Sequence, residues 1–255
     1  MRKETLNQPS DGLLVYPDIV PGEPIVLQEH EQVWTPSQIT LGLARLIAEQ
    51  DWTHAHVLDF ASGSGILGVV ALRKGAKHVT GVDLNPYVSD TMAANWKANR
   101  LPSETYTFLL SDCFSALETD PKYYEAYDLL VCNPPLLPMK PDTDFHTRSN
   151  AAQWNEVRDA EGRLVLDAAI TQGGQFLKPG GQMLLISLSL TGWEKTQQML
   201  SEYWGKWAAV RMLDLPLNDS HRSYIQMWKS DQEEQRIIEK EDGLYRRVYF
   251  IKAIK

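Results

Sequence analysis

The run Asp59-Phe60-Ala61-Ser62-Gly63-Ser64-Gly65-Ile66-Leu67-Gly68 joins a stretch that reads as a buried strand, His56-Val57-Leu58-Asp59-Phe60, to one that reads as a helix from Ile66 to Lys74, ended by Gly75. Gly63, Gly65 and Gly68 match the spacing G-x-G-x-x-G. There the missing side chains let backbone approach a ligand, and the helix behind offers free N–H groups and a positive dipole end. Val79-Thr80-Gly81-Val82-Asp83 reads as the next strand, and its acid, 18 residues after Gly65, is placed to accept from two ribose hydroxyls. Glycines alone can serve only to turn the chain. Together with the acidic strand end they point to a nucleoside-containing ligand on a parallel sheet.

The rest of the pattern extends that sheet. Thr105 to Leu110, Asp128-Leu129-Leu130-Val131-Cys132 and Gln182 to Ser189 read as further strands, separated by helices over Asn85 to Asn99 and Gly162 to Leu177. The turn Lys178-Pro179-Gly180-Gly181 leads into the last of these strands. Strands alternating with helices predict a doubly wound α/β fold with both sheet faces covered. Trp207 to Leu215 and Leu244 to Ile254 also look strand-like and are expected to form an antiparallel C-terminal edge, giving a mostly parallel, seven-stranded sheet. The charged stretch between them, Asp231 to Asp242, reads as a solvated helix or loop.

Ahead of the sheet, Pro9, Pro17, Pro21 and Pro24 among short apolar runs predict extended segments over residues 1–35, an N-terminal extension to a main domain at 36–255. Thr35 is expected to cap a helix over Pro36 to Glu49, with Pro36 in its first turn. Leu137 to Arg163 and Pro216 to Lys229 resist assignment as core, and loops of that length are usually functional or disordered.

Composition narrows the function classes. A formal net charge of −8 argues against a broad basic surface for duplex nucleic acid, although a local patch can coexist with an acidic whole. Met183 to Leu190, the longest apolar-rich run, is too short to span a bilayer, so no membrane partner is expected. Cys113 and Cys132 lack metal-ligand spacing and form no disulfide framework, which fits a reducing, cytoplasmic setting. No metal site is expected, because no His/Cys/Asp cluster has zinc spacing.

Dinucleotide and S-adenosylmethionine sites share the glycine-loop layout, so the choice rests on the fourth strand. Cys132-Asn133-Pro134-Pro135-Leu136 ends that strand with an amide and two prolines, which no sheet interior would tolerate. Pro135 forces Pro134 into an extended conformation and neither proline has an N–H. The Asn133 side-chain oxygen and the Pro134 carbonyl can then both accept from one substrate amino group and aim its lone pair. A proline turn with Asn133 as a capping side chain is the plainer use of the same residues. His146, Arg148, Trp154 and Arg158 could touch substrate, and solvated loop residues would look no different.

Val57 to Leu67, Asp83 and the tetrad Asn133-Pro134-Pro135-Leu136 together resemble a class I S-adenosylmethionine-dependent methyltransferase of the Asn-Pro-Pro-(Tyr/Phe) group. That group includes glutamine methyltransferases of release factors and amino methyltransferases of nucleic acid. The glycine loop also resembles that of ribosomal-protein methyltransferases, and Val33 to Thr40 is similar to the segment ahead of the core. The resemblance covers roughly residues 33–190 and implies S-adenosylmethionine as cofactor. Asp59, Ala61, Gly63 and Gly65 would line its methionine portion, Asp83 with Leu84 would hold the ribose, and Asp112 with the backbone of Cys113 would contact adenine. Asn133 and Pro134, flanked by Leu136, would orient the acceptor beside the cofactor.

Two positions depart from the group. Ala61 replaces the usual first glycine and needs a negative φ to fit without strain. Leu136 replaces the aromatic ring that stacks on a planar amide or base, which weakens the case for a nucleobase and leaves room for a protein side chain, a small amine or a metabolite. The implied activity is methyl transfer to an amide or amine nitrogen of protein or nucleobase. Methylation of a small metabolite, or cofactor binding without catalysis, are the alternatives.

Overall fold

Val57, Leu58, Leu129, Leu130 and Val131 have no solvent exposure, because the strands that carry them lie at the middle of one sheet with helices on either side. The computed structural model describes residues 12–138, 151–154, 156–157, 159–217, 221, 225, 228 and 236–255. Among them, His56–Phe60 (β3), His78–Asp83 (β4), Tyr106–Leu110 (β5), Tyr127–Cys132 (β6) and Leu177–Leu188 (β9) run parallel, in the order β9-β6-β3-β4-β5. Gly243–Ile254 (β12) adds antiparallel to β9, and Lys206–Pro216 (β10) adds antiparallel to β12. The seven strands expected from sequence thus lie on one path. β10 is the outermost, and β12 alone runs against the parallel set.

Successive residues of β12 show that both faces are covered, since strand side chains alternate. Phe250 packs so closely on Gln38–Ala48 (α1) that a Cβ on Gly42 would meet its ring at 2.6 Å. The preceding Tyr249 stacks on Trp193 of Trp193–Tyr203 (α6), ring centroids 3.6 Å apart. α1 lies beside Ile66–Arg73 (α2), and Leu164–Gln172 (α5) lies beside α6.

The N-terminal segment forms a hairpin of Leu13–Val20 (β1) and Glu23–Gln28 (β2), turned by Pro21-Gly22 with Gly22 at φ 78°. Two buried asparagines of Val88–Ala98 (α3) and its C-cap fasten it. Asn95 accepts from Gln28 N at 2.6 Å, and Asn99 accepts from Val26 N at 3.0 Å. No helix among the described residues is long and apolar enough to cross a membrane.

Several boundaries differ from those read off the sequence. α1 is capped by Ser37 rather than Thr35, through a reciprocal pair of bonds with Thr40. α3 starts at Val88, because the Asn85 side chain turns back to accept from Tyr87 N at 3.1 Å, and so closes a turn instead of capping a helix. α5 is shorter than expected: Asp159 takes the N–H groups of Arg163 and Leu164 and fixes its start. β9 takes in the Lys178–Gly181 turn through an irregular register beside β6. The Asp231–Asp242 stretch contains Ile238–Lys240 (β11), a strand paired with β12, where a solvated helix or loop was expected.

Candidate functional site

A cavity of about 210 Å³ opens at the carboxyl ends of β3, β4 and β6, where open α/β sheets bind ligands. It is lined by Ala61, Gly63, Asp83, Leu84, Asp112, Cys113, Asn133, Pro134 and Leu136, so residues from the glycine loop, the acidic strand end and the proline tetrad share one space. Asp59 and Gly65, assigned by resemblance to the same ligand, are not among the lining residues.

Local chemistry explains the loop. Ser62 N donates to Val82 O at 3.1 Å, Gly65 N closes onto Ser62 O at 2.8 Å, and Gly63 N donates to an Asp83 carboxylate oxygen at 2.9 Å. Gly63 has φ 51°, and a Cβ there would meet nothing within 4 Å. That open backbone beside a carboxylate fits a ligand carrying hydroxyl groups. Ala61 has φ 59°, not the negative value that its side chain would favour, because the first bend of the loop requires the left-handed region whichever residue occupies it.

Asp59 is wholly buried and supports the start of a helix. Its Oδ2 accepts from Gly68 N at 3.1 Å, within the first turn of α2, whose N-cap Gly65 has no side chain to offer. Its Oδ1 has no partner. Burial pushes its carboxyl up from 3.8 to about 8; the Gly68 bond opposes the shift and the nearby Asp83 charge adds to it. The Asp83 carboxyl is also raised by burial, against the N–H groups of Asn85, Gly63 and Leu84 that favour its charged form.

The tetrad is oriented from a distance. Asn133 Nδ2 donates to Thr40 Oγ1 at 2.9 Å, and the same hydroxyl accepts from Ser37 N at 3.2 Å at the start of α1. With the nitrogen of the amide so engaged, Oδ1 is the atom left to accept from a ligand. Thr40, Ser37 and Trp34 line the cavity too. The capping pattern was the signal that could have singled out Thr40.

Leu136, at the sequence position where the resemblance expects a ring, is 5% exposed and lines the cavity. Leu137–Pro138 (β7) follows and pairs in parallel with Glu156–Val157 (β8), which returns the chain to the cavity. Trp154, from Ala151–Trp154 (α4), lines it, whereas His146, Arg148 and Arg158 lie outside the described residues. Glu156 and Arg246 are lining residues that no local pattern in the sequence marked. Among the described residues no group of His, Cys, Asp and Glu could hold a metal ion.

Comparison with known proteins gives consistent relatives. The family model described as methyltransferase small domain matches residues 25–212. A protein of Methanocaldococcus jannaschii, named provisionally as a protein N5-glutamine methyltransferase, is 29% identical over 79% of this chain and 95% of its own length. The ribosomal RNA large subunit methyltransferase G of Photobacterium profundum is 26% identical over 69% of this chain, which spans 41% of that protein. Among solved structures, the 16S rRNA N2 G1207 methyltransferase of T. thermophilus, in complex with AdoMet and guanosine, aligns with a TM-score of 0.56 at 18% identity. It covers 95% of this chain, which spans 50% of that one, and supports the fold.

Proposed function

The chain belongs to the methyltransferase small domain family, an S-adenosylmethionine-dependent one, and on that footing we propose that it methylates an amide or amine nitrogen of a protein side chain or a nucleobase. The observation that carries this reading is the Asn133 amide, which lines the cavity shared with Gly63 and Asp83 and whose nitrogen is engaged by Thr40, leaving its oxygen to accept. The name of one relative, a protein N5-glutamine methyltransferase, supports a nitrogen acceptor, and that of the other, a ribosomal RNA methyltransferase, supports a macromolecular one.

In this reading Asp83 accepts from the ribose hydroxyls, with Leu84 beside it. The backbone of Ala61 and Gly63 lies against the methionine portion, and Asp112 with Cys113 backbone borders the adenine. Asp59 and Gly65 act one layer behind, by holding the loop and the start of α2. Bound S-adenosylmethionine supplies an already activated methyl group, so alignment matters more than a strong base. Asn133 Oδ1 and the Pro134 carbonyl hold two hydrogens of the acceptor nitrogen and point its lone pair. Leu136 beside them favours an aliphatic amide or amine over a stacked base.

Isothermal titration with S-adenosylhomocysteine and labelled-methyl transfer into protein, RNA and metabolite fractions test the assignment. Asp83→Ala should weaken binding by about tenfold to a hundredfold, the loss of charge-assisted hydrogen bonds. Asn133→Ala should keep binding while turnover falls by about a hundredfold or more. Wild-type transfer rates in both variants would sink the proposal.

A further inference from the structure

Because β12 runs against the parallel strands, its beginning lies at the rim where theirs end, and this brings Arg246 into the cavity. Arg246 lies on the same face of β12 as Val248 and Phe250, next to Leu188 and Ile186 of β9, which also line the cavity. It is the one cationic side chain among the described lining residues.

The guanidinium is half engaged. Its Nη1 donates to His221 Nε2 at 2.6 Å, and His221 is itself buried. Its Nε is buried with no hydrogen-bond partner, and among the described residues no carboxylate pairs with Arg246. The neighbouring Asp214 is already taken by Arg247 and Lys240. Glu156 lines the same cavity but makes no ion pair with Arg246. With Nη1 anchored, the edge formed by Nε and Nη2 is the one without a hydrogen-bond partner among the described residues, and that edge is the fork that meets a carboxylate through two parallel N–H bonds.

We infer that Arg246, braced by His221, is the subsite for a carboxylate carried by the methyl acceptor. The inference rests on the methyl-transfer reading for the identity of that acceptor. A half-buried guanidinium with no carboxylate partner among the described residues and an unsatisfied Nε is costly, and an anionic ligand group lowers that cost as it binds. Among the described lining residues one cation lies with Leu136, Ile186 and Leu188, an arrangement that matches one planar anion.

The test uses the full chain saturated with S-adenosylhomocysteine and titrated at constant ionic strength with acetate, acetamide and inorganic phosphate, read by saturation-transfer NMR. Acetate should bind, and neutral, isosteric acetamide should bind about tenfold more weakly or worse. Arg246→Gln should lose acetate binding while keeping S-adenosylhomocysteine affinity, and Arg246→Lys should restore only part of it, having the charge without the fork. Equal binding of acetate and acetamide, a preference for phosphate, or unchanged acetate binding in Arg246→Gln would each overturn the subsite. The acetate and acetamide comparison in the wild type stands even if the Gln variant does not fold. Binding of S-adenosylhomocysteine without acetate would overturn the subsite alone. Binding of acetate without S-adenosylhomocysteine would support the subsite and count against the methyl-transfer reading.

Discussion

Replacing Asp59 with asparagine should remove a loss of stability that the wild-type protein suffers as pH rises toward neutrality. The side chain is wholly buried, one oxygen holds Gly68 N and the other has no partner, so burial pushes its carboxyl from 3.8 up to about 8. In the unfolded chain the proton leaves near the ordinary value. Between about pH 4 and pH 8 the folded state therefore holds a proton that the unfolded state lacks, and raising the pH favours unfolding. Each pH unit inside that window is worth about 1.4 kcal/mol, so going from about pH 5 to pH 7 should cost the wild type roughly 2.7 kcal/mol through this group. The substituted amide would still present an oxygen to Gly68 N and has no proton to lose. Asp83 is present in both proteins, so its own titration largely cancels. Urea unfolding of wild type and Asp59→Asn at several pH values in this window measures the difference, which should widen in favour of the variant as pH rises. A difference that stays constant would refute the reasoning, since it would mean that Asp59 ionises alike in both states.

Thr40→Val leaves the Asn133 amide free to turn, and the loss of one orienting hydrogen bond should lower methyl transfer by roughly tenfold while S-adenosylhomocysteine affinity holds. Thr40→Ser keeps the hydroxyl and should restore turnover, a rescue that a purely structural role in packing would not require. Ala61→Gly relieves a side chain at φ 59° and should raise stability by about 0.5–1 kcal/mol in thermal melts, the strain released less the backbone freedom gained by the unfolded chain. No gain, or a loss, would mean that the Ala61 side chain is held by favourable contacts that outweigh its strain.

The fold was legible where the signal is local. Buried runs such as Val57 to Phe60 and Leu129 to Cys132 fall where strands form, because an apolar run bounded by turn residues needs both faces covered. Helix starts were less so. Thr35 and Ser37 are both competent caps and sit two residues apart, and only the reciprocal bond from Thr40 decides between them. The three-residue β11 could not be seen in its charged stretch, since it exists only by pairing with the opening residues of β12.

The sheet, the glycine turn, the acidic strand end and the proline corner, and with them the kind of cofactor, could be read from the order of residues. These follow from backbone preferences that act over a few residues. Tertiary structure alone decided what those parts do to one another. It put Thr40 against Asn133, 93 positions away, and brought Arg246 of β12 to the same cavity. It also set the Asp59 carboxylate against Gly68 N in the first turn of α2. Such pairings depend on which strand ends share a rim and which helix starts lie above them. That is set by packing the whole chain, so no window of neighbouring residues contains it.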